Sequence, residues 1–179
     1  MNDSWPLIRV NRAPVLTLWA AIVAERLGHP PETALTLGRA VCSFSACSKA
    51  RRVGIVNDEQ AADERRAGAA AIKPQNRTIR LLGKDIPVLP ADDGTLRADD
   101  NGRPASARSV ASYIAKAFGD RLNEAISAME ALAGMLPPEE LNRVGFRLYE
   151  SFRPDVPDGR QESGAKGELR LERITTVWL

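Results

Sequence analysis

Apolar residues recur at helical three-and-four spacing through Val15, Leu16, Leu18, Trp19, Ile22, Val23 and Leu27. Asn11 ahead of Ala13-Pro14 supplies a start, because Asn caps free N–H groups and proline tolerates a first helical turn. Gly28 supplies the stop, so the spacing predicts a helix over about 13–27. Pro30-Pro31-Glu32 restarts the pattern, which Ala34, Leu35, Leu37, Ala40, Val41 and Phe44 carry to about Ala46. Two helices joined by a tight turn are expected. The chain then becomes polar and basic through Lys49-Ala50-Arg51-Arg52 before a short apolar patch, Val53-Gly54-Ile55-Val56.

Residues 57–72 are rich in Ala, Glu, Asp and Arg and read equally as a solvated helix or a partly ordered connection. Thr78 to Leu82, Ile86 to Leu89 and Thr95 to Ala98 are extended segments, separated by turn signals at Gly83-Lys84 and Asp92-Asp93-Gly94. They predict a small central β-hairpin or meander. Ser106 caps a helix bearing Val110, Tyr113, Ile114, Ala117 and Phe118, closed by Gly119. A second helix carries Leu122, Ala125, Ile126, Met129, Leu132 and Ala133 to Gly134, and the two are expected to pair as a hairpin. Pro137-Pro138-Glu139-Glu140 opens a third, with acids in the first turn to suit the helix dipole. Its apolar face is Leu141, Val144, Phe146, Leu148, Tyr149 and Phe152. After Arg153-Pro154 the chain reads as irregular until Glu168-Leu169-Arg170-Leu171-Glu172, whose alternation predicts a half-buried terminal strand completing the sheet.

The expected fold is therefore α+β and predominantly helical, with an N-terminal helical hairpin over 1–56, a connector and β-hairpin over 57–104, and a three-helix group with its tail over 105–179. At 179 residues these parts fit one compact domain. A composition 44% apolar and 27% charged speaks against both wholesale disorder and a membrane protein. Val15 to Ala24 resembles a targeting core, but Thr17, Glu25 and Arg26 give it a polar side, so a retained core helix is expected. Cys42 and Cys47 would point roughly 140° apart on a helix, which disfavours a disulfide and suits a reducing, cytoplasmic compartment. The Arg- and Ala-rich usage fits a bacterial source.

Charge changes the picture more than composition does. Residues 1–56 hold seven Lys/Arg against three acids, whereas the net charge of the whole chain is only +2. An anionic partner for the first third is the expectation. Ala24, Gly28, Ala34 and Leu37 sit at spacings that resemble a helix-turn-helix DNA reader, which needs small residues where its helices cross and a glycine at the turn. That resemblance covers about twenty residues. It implies Thr33 and Thr36 nearest the groove, with Arg26, Arg39, Lys49, Arg51 and Arg52 on phosphates. Arg77, Arg80 and Lys84 would join the same surface if the central hairpin packs as a wing. Glu32, Thr33 and Thr36 offer none of the bidentate base-reading side chains, however.

Other chemistry finds little support. His29 is the single histidine, which excludes two-histidine metal sites, and its pairing with Cys47 as a nucleophile is not predicted by the sequence. Ser45 and Lys49 miss the Ser-x-x-Lys spacing. The runs Asp92-Asp93-Gly94 and Asp99-Asp100-Asn101-Gly102 lack the register of a calcium loop and read as turns. Ser163-Gly164-Ala165-Lys166-Gly167 lacks the spacing of a phosphate loop, although Arg153, Arg160 and Lys166 remain a candidate anion cluster. The expectation is a non-enzymatic nucleic-acid-binding or regulatory protein with no catalytic residue, metal or cofactor assigned. The alternatives are a protein-interaction module or homodimer presenting Trp5, Trp19 and Phe44, and a small enzyme with an unfamiliar site.

Overall fold

The computed structural model describes residues 7–52, 77–155 and 166–177, with side chains throughout except at 46–52. Helix α1 (Arg12–Arg26) is the axis of the molecule: every residue from Pro14 to Ala24 is buried. A helix apolar on all sides needs protein on all sides. Helix α2 (Pro31–Arg52), α3 (Ala107–Phe118), α4 (Leu122–Ala133) and α5 (Pro138–Phe152) all pack on α1. Trp19 reaches from α1 to α5, where its Nε1–H donates to the Gly145 carbonyl at 2.8 Å. Its ring meets Phe152 edge-on, with centroids 5.4 Å apart. The close α1–α2 crossing depends on Gly38, where a Cβ would strike the Thr17 carbonyl and lie 3.0 Å from the Ala21 nitrogen.

Four antiparallel strands follow one another across a single sheet: β2 (Arg77–Leu81), β3 (Lys84–Pro90), β4 (Leu96–Asp100) and the short β5 (Arg103–Pro104). The β2–β3 turn falls on Leu82-Gly83, one residue earlier than the turn signal, with both residues at positive φ. Left-handed backbone is costly for leucine. Burial of Leu82 against α5 and a 2.7 Å hydrogen bond from its N–H to Asn142 Oδ1 hold it there. Asn142 also donates to the Arg80 carbonyl, so the hairpin tip is fastened to α5. Toward the other end of the strand order, α2 is stitched to β4. The Thr33 hydroxyl donates to the Leu96 carbonyl, and the Thr36 hydroxyl accepts from the Ala98 N–H at 3.0 Å while donating to the Thr33 carbonyl.

Strand β1 (Leu7–Val10), which the sequence pattern did not indicate, pairs antiparallel with β6 (Gly167–Arg170). The expected terminal strand therefore exists but builds a separate two-stranded sheet rather than completing the central one. Its alternation is cut short because Leu171–Thr175 turns into a short helix, α6, with Leu171 and Ile174 buried. The expected helix pair 106–118 and 120–133 is present, capped by the Ser106 hydroxyl accepting from Ser109 N–H at 3.2 Å. These two helices meet each other sparingly, and each packs more heavily on α1 or α2. One continuous buried cluster draws residues from every α-helix and from every strand except the exposed β5. Residues 57–72, the patch 53–56, Arg160, Trp5, and the Ser163 to Ala165 part of the phosphate-loop-like run lie outside the described residues. Among the described residues no helix is long and apolar enough to cross a membrane.

At the end of α1, burial raises the Glu25 carboxyl above its ordinary range, and the charge of Glu130 on α4 adds to the shift. A carboxyl whose folded pKa lies above its unfolded value favours folding while protonated and loses that contribution as pH rises through the folded value. Glu25→Gln is therefore expected to be more stable than the parent at neutral pH, with the difference closing below the ordinary carboxylate range. Paired thermal melts across that interval check it.

Candidate functional site

The helix-turn-helix geometry fails at its centre. Thr33 and Thr36, the side chains expected nearest a DNA groove, are buried and spend their hydroxyls on β4. The physical reason is that α2 is covered on both flanks. Its Ala34, Leu37 and Val41 are buried in the core, and the threonines face the sheet edge. Helix α1, which would have to lie across a phosphate backbone, is enclosed. The wing is likewise displaced, since the β2–β3 tip carrying Arg80 and Lys84 is tied to α5. Arg80 is also paired with Asp85 at 3.1 Å, both side chains exposed.

The remaining predicted cations divide between faces. Arg26 donates to the Leu136 carbonyl at 3.1 Å, at the α4–α5 junction. Arg39, on the outer side of α2, instead lies over the Tyr113 ring of α3, 4.7 Å from its centroid. Arg77 is exposed on β2. Lys49, Arg51 and Arg52 fall on the last turns of α2, which runs past the expected end at Ala46 to Arg52. Their side chains lie outside the described residues.

Arg39 opens onto a groove of about 650 Å³ between α2, the start of α3 and the β4–β5 turn. Ala40, Phe44 and Val110 give it apolar walls, with Ser43, Ser106 and Ser109 supplying hydroxyls and Asp99, Asp100 and Asn101 the sheet-side rim. Positive φ at Asn101 and Gly102 makes the β4–β5 connection a tight hairpin, and Asp99 Oδ1 accepts from Gly102 N–H at 2.6 Å. That bond fixes the rim. Ser109 and Tyr113 are shared with a shallower depression of about 480 Å³, lined otherwise by Arg108, Ser112 and Lys116.

Arg108, Ser112 and Lys116 stand four residues apart on α3 and so form one stripe along the helix. Neither cation has an ion-pair partner among the described residues. Apolar periodicity marks only the opposite side of this helix, Val110, Tyr113, Ile114, Ala117 and Phe118, and leaves the stripe unmarked. The signal was available as the polar complement of the same period.

Nucleophilic chemistry is poorly served here. Burial pushes the Cys42 thiol up, although Arg39 and Thr17 pull the other way. Burial likewise raises the Tyr113 phenol, partly offset by Arg39. His29 sits in the α1–α2 turn, its pKa lowered by burial. The helical rise places Cys47 about 24 Å along α2 from that turn, too far for a His–Cys pair. Among the described residues no cluster of three His, Cys, Asp or Glu could hold a metal ion. For the interaction-module reading, Trp19 is fully buried and supplies no surface. Among the described residues the exposed large apolar side chains are scattered, Leu7 on β1, Phe44 on α2 and Met135 in the α4–α5 connection. No protein-family model, curated protein or solved structure matches this chain.

Proposed function

We propose that the protein is a non-enzymatic, cytoplasmic nucleic-acid-binding protein that holds phosphates on the α2–α3 face rather than through a helix-turn-helix. The observation that carries the reading is the Arg108–Ser112–Lys116 stripe beside Arg39: three cations and a hydroxyl row over one depression and its adjoining groove. Arginine, lysine and serine hydroxyls are the usual phosphate partners, and such contacts position a nucleic acid without reading its sequence. The basic run Lys49, Arg51 and Arg52 continues the helix that carries Arg39, and the positive bias of the first 56 residues points the same way. Thr33 and Thr36 have no part in this version, because their hydroxyls are engaged inside the fold, and Arg26 is left out because it is held on the Leu136 carbonyl at the α4–α5 junction.

Fluorescence anisotropy of a labelled mixed-sequence oligonucleotide, single-stranded or duplex, tests it. Binding is expected at about 50 mM salt and should weaken steeply by about 200 mM, as counterion release requires. Reversing both exposed charges, Arg108→Glu with Lys116→Glu, is expected to flatten the salt slope by about 2, one for each phosphate contact removed. Reversal at Lys49, Arg51 and Arg52 should weaken binding further. Absence of binding at the low salt, or affinity indifferent to both sets of reversals, would end the proposal.

A further inference from the structure

The two adjoining depressions differ in chemistry, and the difference bears on which form of nucleic acid fits. Arg108 and Lys116 line only the shallow one, Asp99 and Asp100 line only the deep one, and Ser109 and Tyr113 stand between them. A phosphate suits the shallow part. The deep part repels phosphate at its acidic rim but offers apolar walls, the 40% exposed Phe44 ring, and the Arg39 guanidinium lying over Tyr113. Planar aromatic and guanidinium surfaces are what an unstacked base packs against. A carboxylate accepts hydrogen bonds from the amino group on a base edge, as Asp does from cytosine N4. At about 650 Å³ the deep groove is within the size of pockets that enclose small organic groups.

Resting on the phosphate-binding reading above, we infer that the ligand is single-stranded nucleic acid, with a base in the α2–α3–β4 groove and the neighbouring phosphate on the Arg108–Lys116 stripe. A paired duplex keeps its bases stacked inside and would have to extrude one to fill the groove, at a cost that a free strand avoids. It would also bring phosphates toward Asp99 and Asp100. A single strand meets both surfaces without rearrangement, combining a cationic track with a stacking platform.

The test compares one labelled 12-nucleotide DNA containing only adenine and cytosine with its own duplex, at about 100 mM salt. The strand should bind the parent protein about tenfold more tightly than the duplex, and Phe44→Ala should remove about that factor from the strand while leaving duplex binding unchanged. Duplex binding equal to or tighter than strand binding overturns the inference while leaving the phosphate-binding proposal standing. Indifference of the strand to Phe44→Ala removes the groove as the base site. Failure of both forms to bind, here and at the lower salt, overturns both proposals at once. The comparison of strand and duplex uses the parent protein, so it does not depend on how the variant folds.

Discussion

Trp19→Ala is expected to be the most damaging single substitution in the described structure, lowering stability by about 3–5 kcal/mol. Trp19 is fully buried at the middle of a helix that is itself enclosed, so removing its indole leaves a cavity lined by α1 and α5. The neighbouring elements cannot collapse into that space freely, because α1 is also gripped by α2 and α4. Two specific interactions go with the ring: the 2.8 Å hydrogen bond to the Gly145 carbonyl and the edge-on contact with Phe152. Urea unfolding should show the midpoint falling by about 1–5 M for slopes in the usual range. Trp19→Phe should recover much of the loss by refilling the volume while still lacking the hydrogen bond. A midpoint for the alanine variant within error of the parent would mean that α1 is not the central helix.

Gly38→Ala should be destabilising despite alanine being the better helix former by about 1 kcal/mol. The added methyl meets backbone on the opposite helix, the Thr17 carbonyl and the Ala21 nitrogen, neither of which can rotate away. The α1–α2 pair must separate, and overpacking of this kind typically costs about 1–3 kcal/mol, which outweighs the gain in propensity. Gly145→Ala provides the contrast. There the new methyl meets the tip of the Leu82 side chain, which has rotamers available, although Leu82 anchors the hairpin to α5. Gly38→Ala is thus expected to lower the unfolding midpoint more than Gly145→Ala. The reverse order in parallel denaturation curves would contradict the tight α1–α2 crossing.

The contrast between Thr36 and Arg108 shows where reading the chain succeeded and failed for the site. Thr36 lies on a helix that the pattern located correctly, yet the same pattern gave no sign that β4 would cover that side of it. Threonine is equally suited to facing water or to satisfying a strand edge, and the choice belongs to a partner 62 residues away in sequence. Arg108, Ser112 and Lys116 were legible as the polar side of a predicted helix. Their significance came from the adjoining groove, which no local pattern records.

Helical periodicity, capping residues and turn signals by themselves determined the α+β class, the N-terminal helix pair, the central antiparallel strands and the three-helix group, because each is set by neighbours within a few positions. The polar residues at the ends of the first helix even obscured how deeply its middle is buried. Only the tertiary structure decided that α1 is enclosed, that the tail strand pairs with Leu7–Val10, that the hairpin is pinned by Asn142, and that Arg39 joins α3 rather than Arg26. Those outcomes depend on contacts between residues remote in sequence. They are fixed by competing ways of burying the same apolar faces and satisfying the same backbone groups, and the alternatives become unequal only when the whole chain is packed.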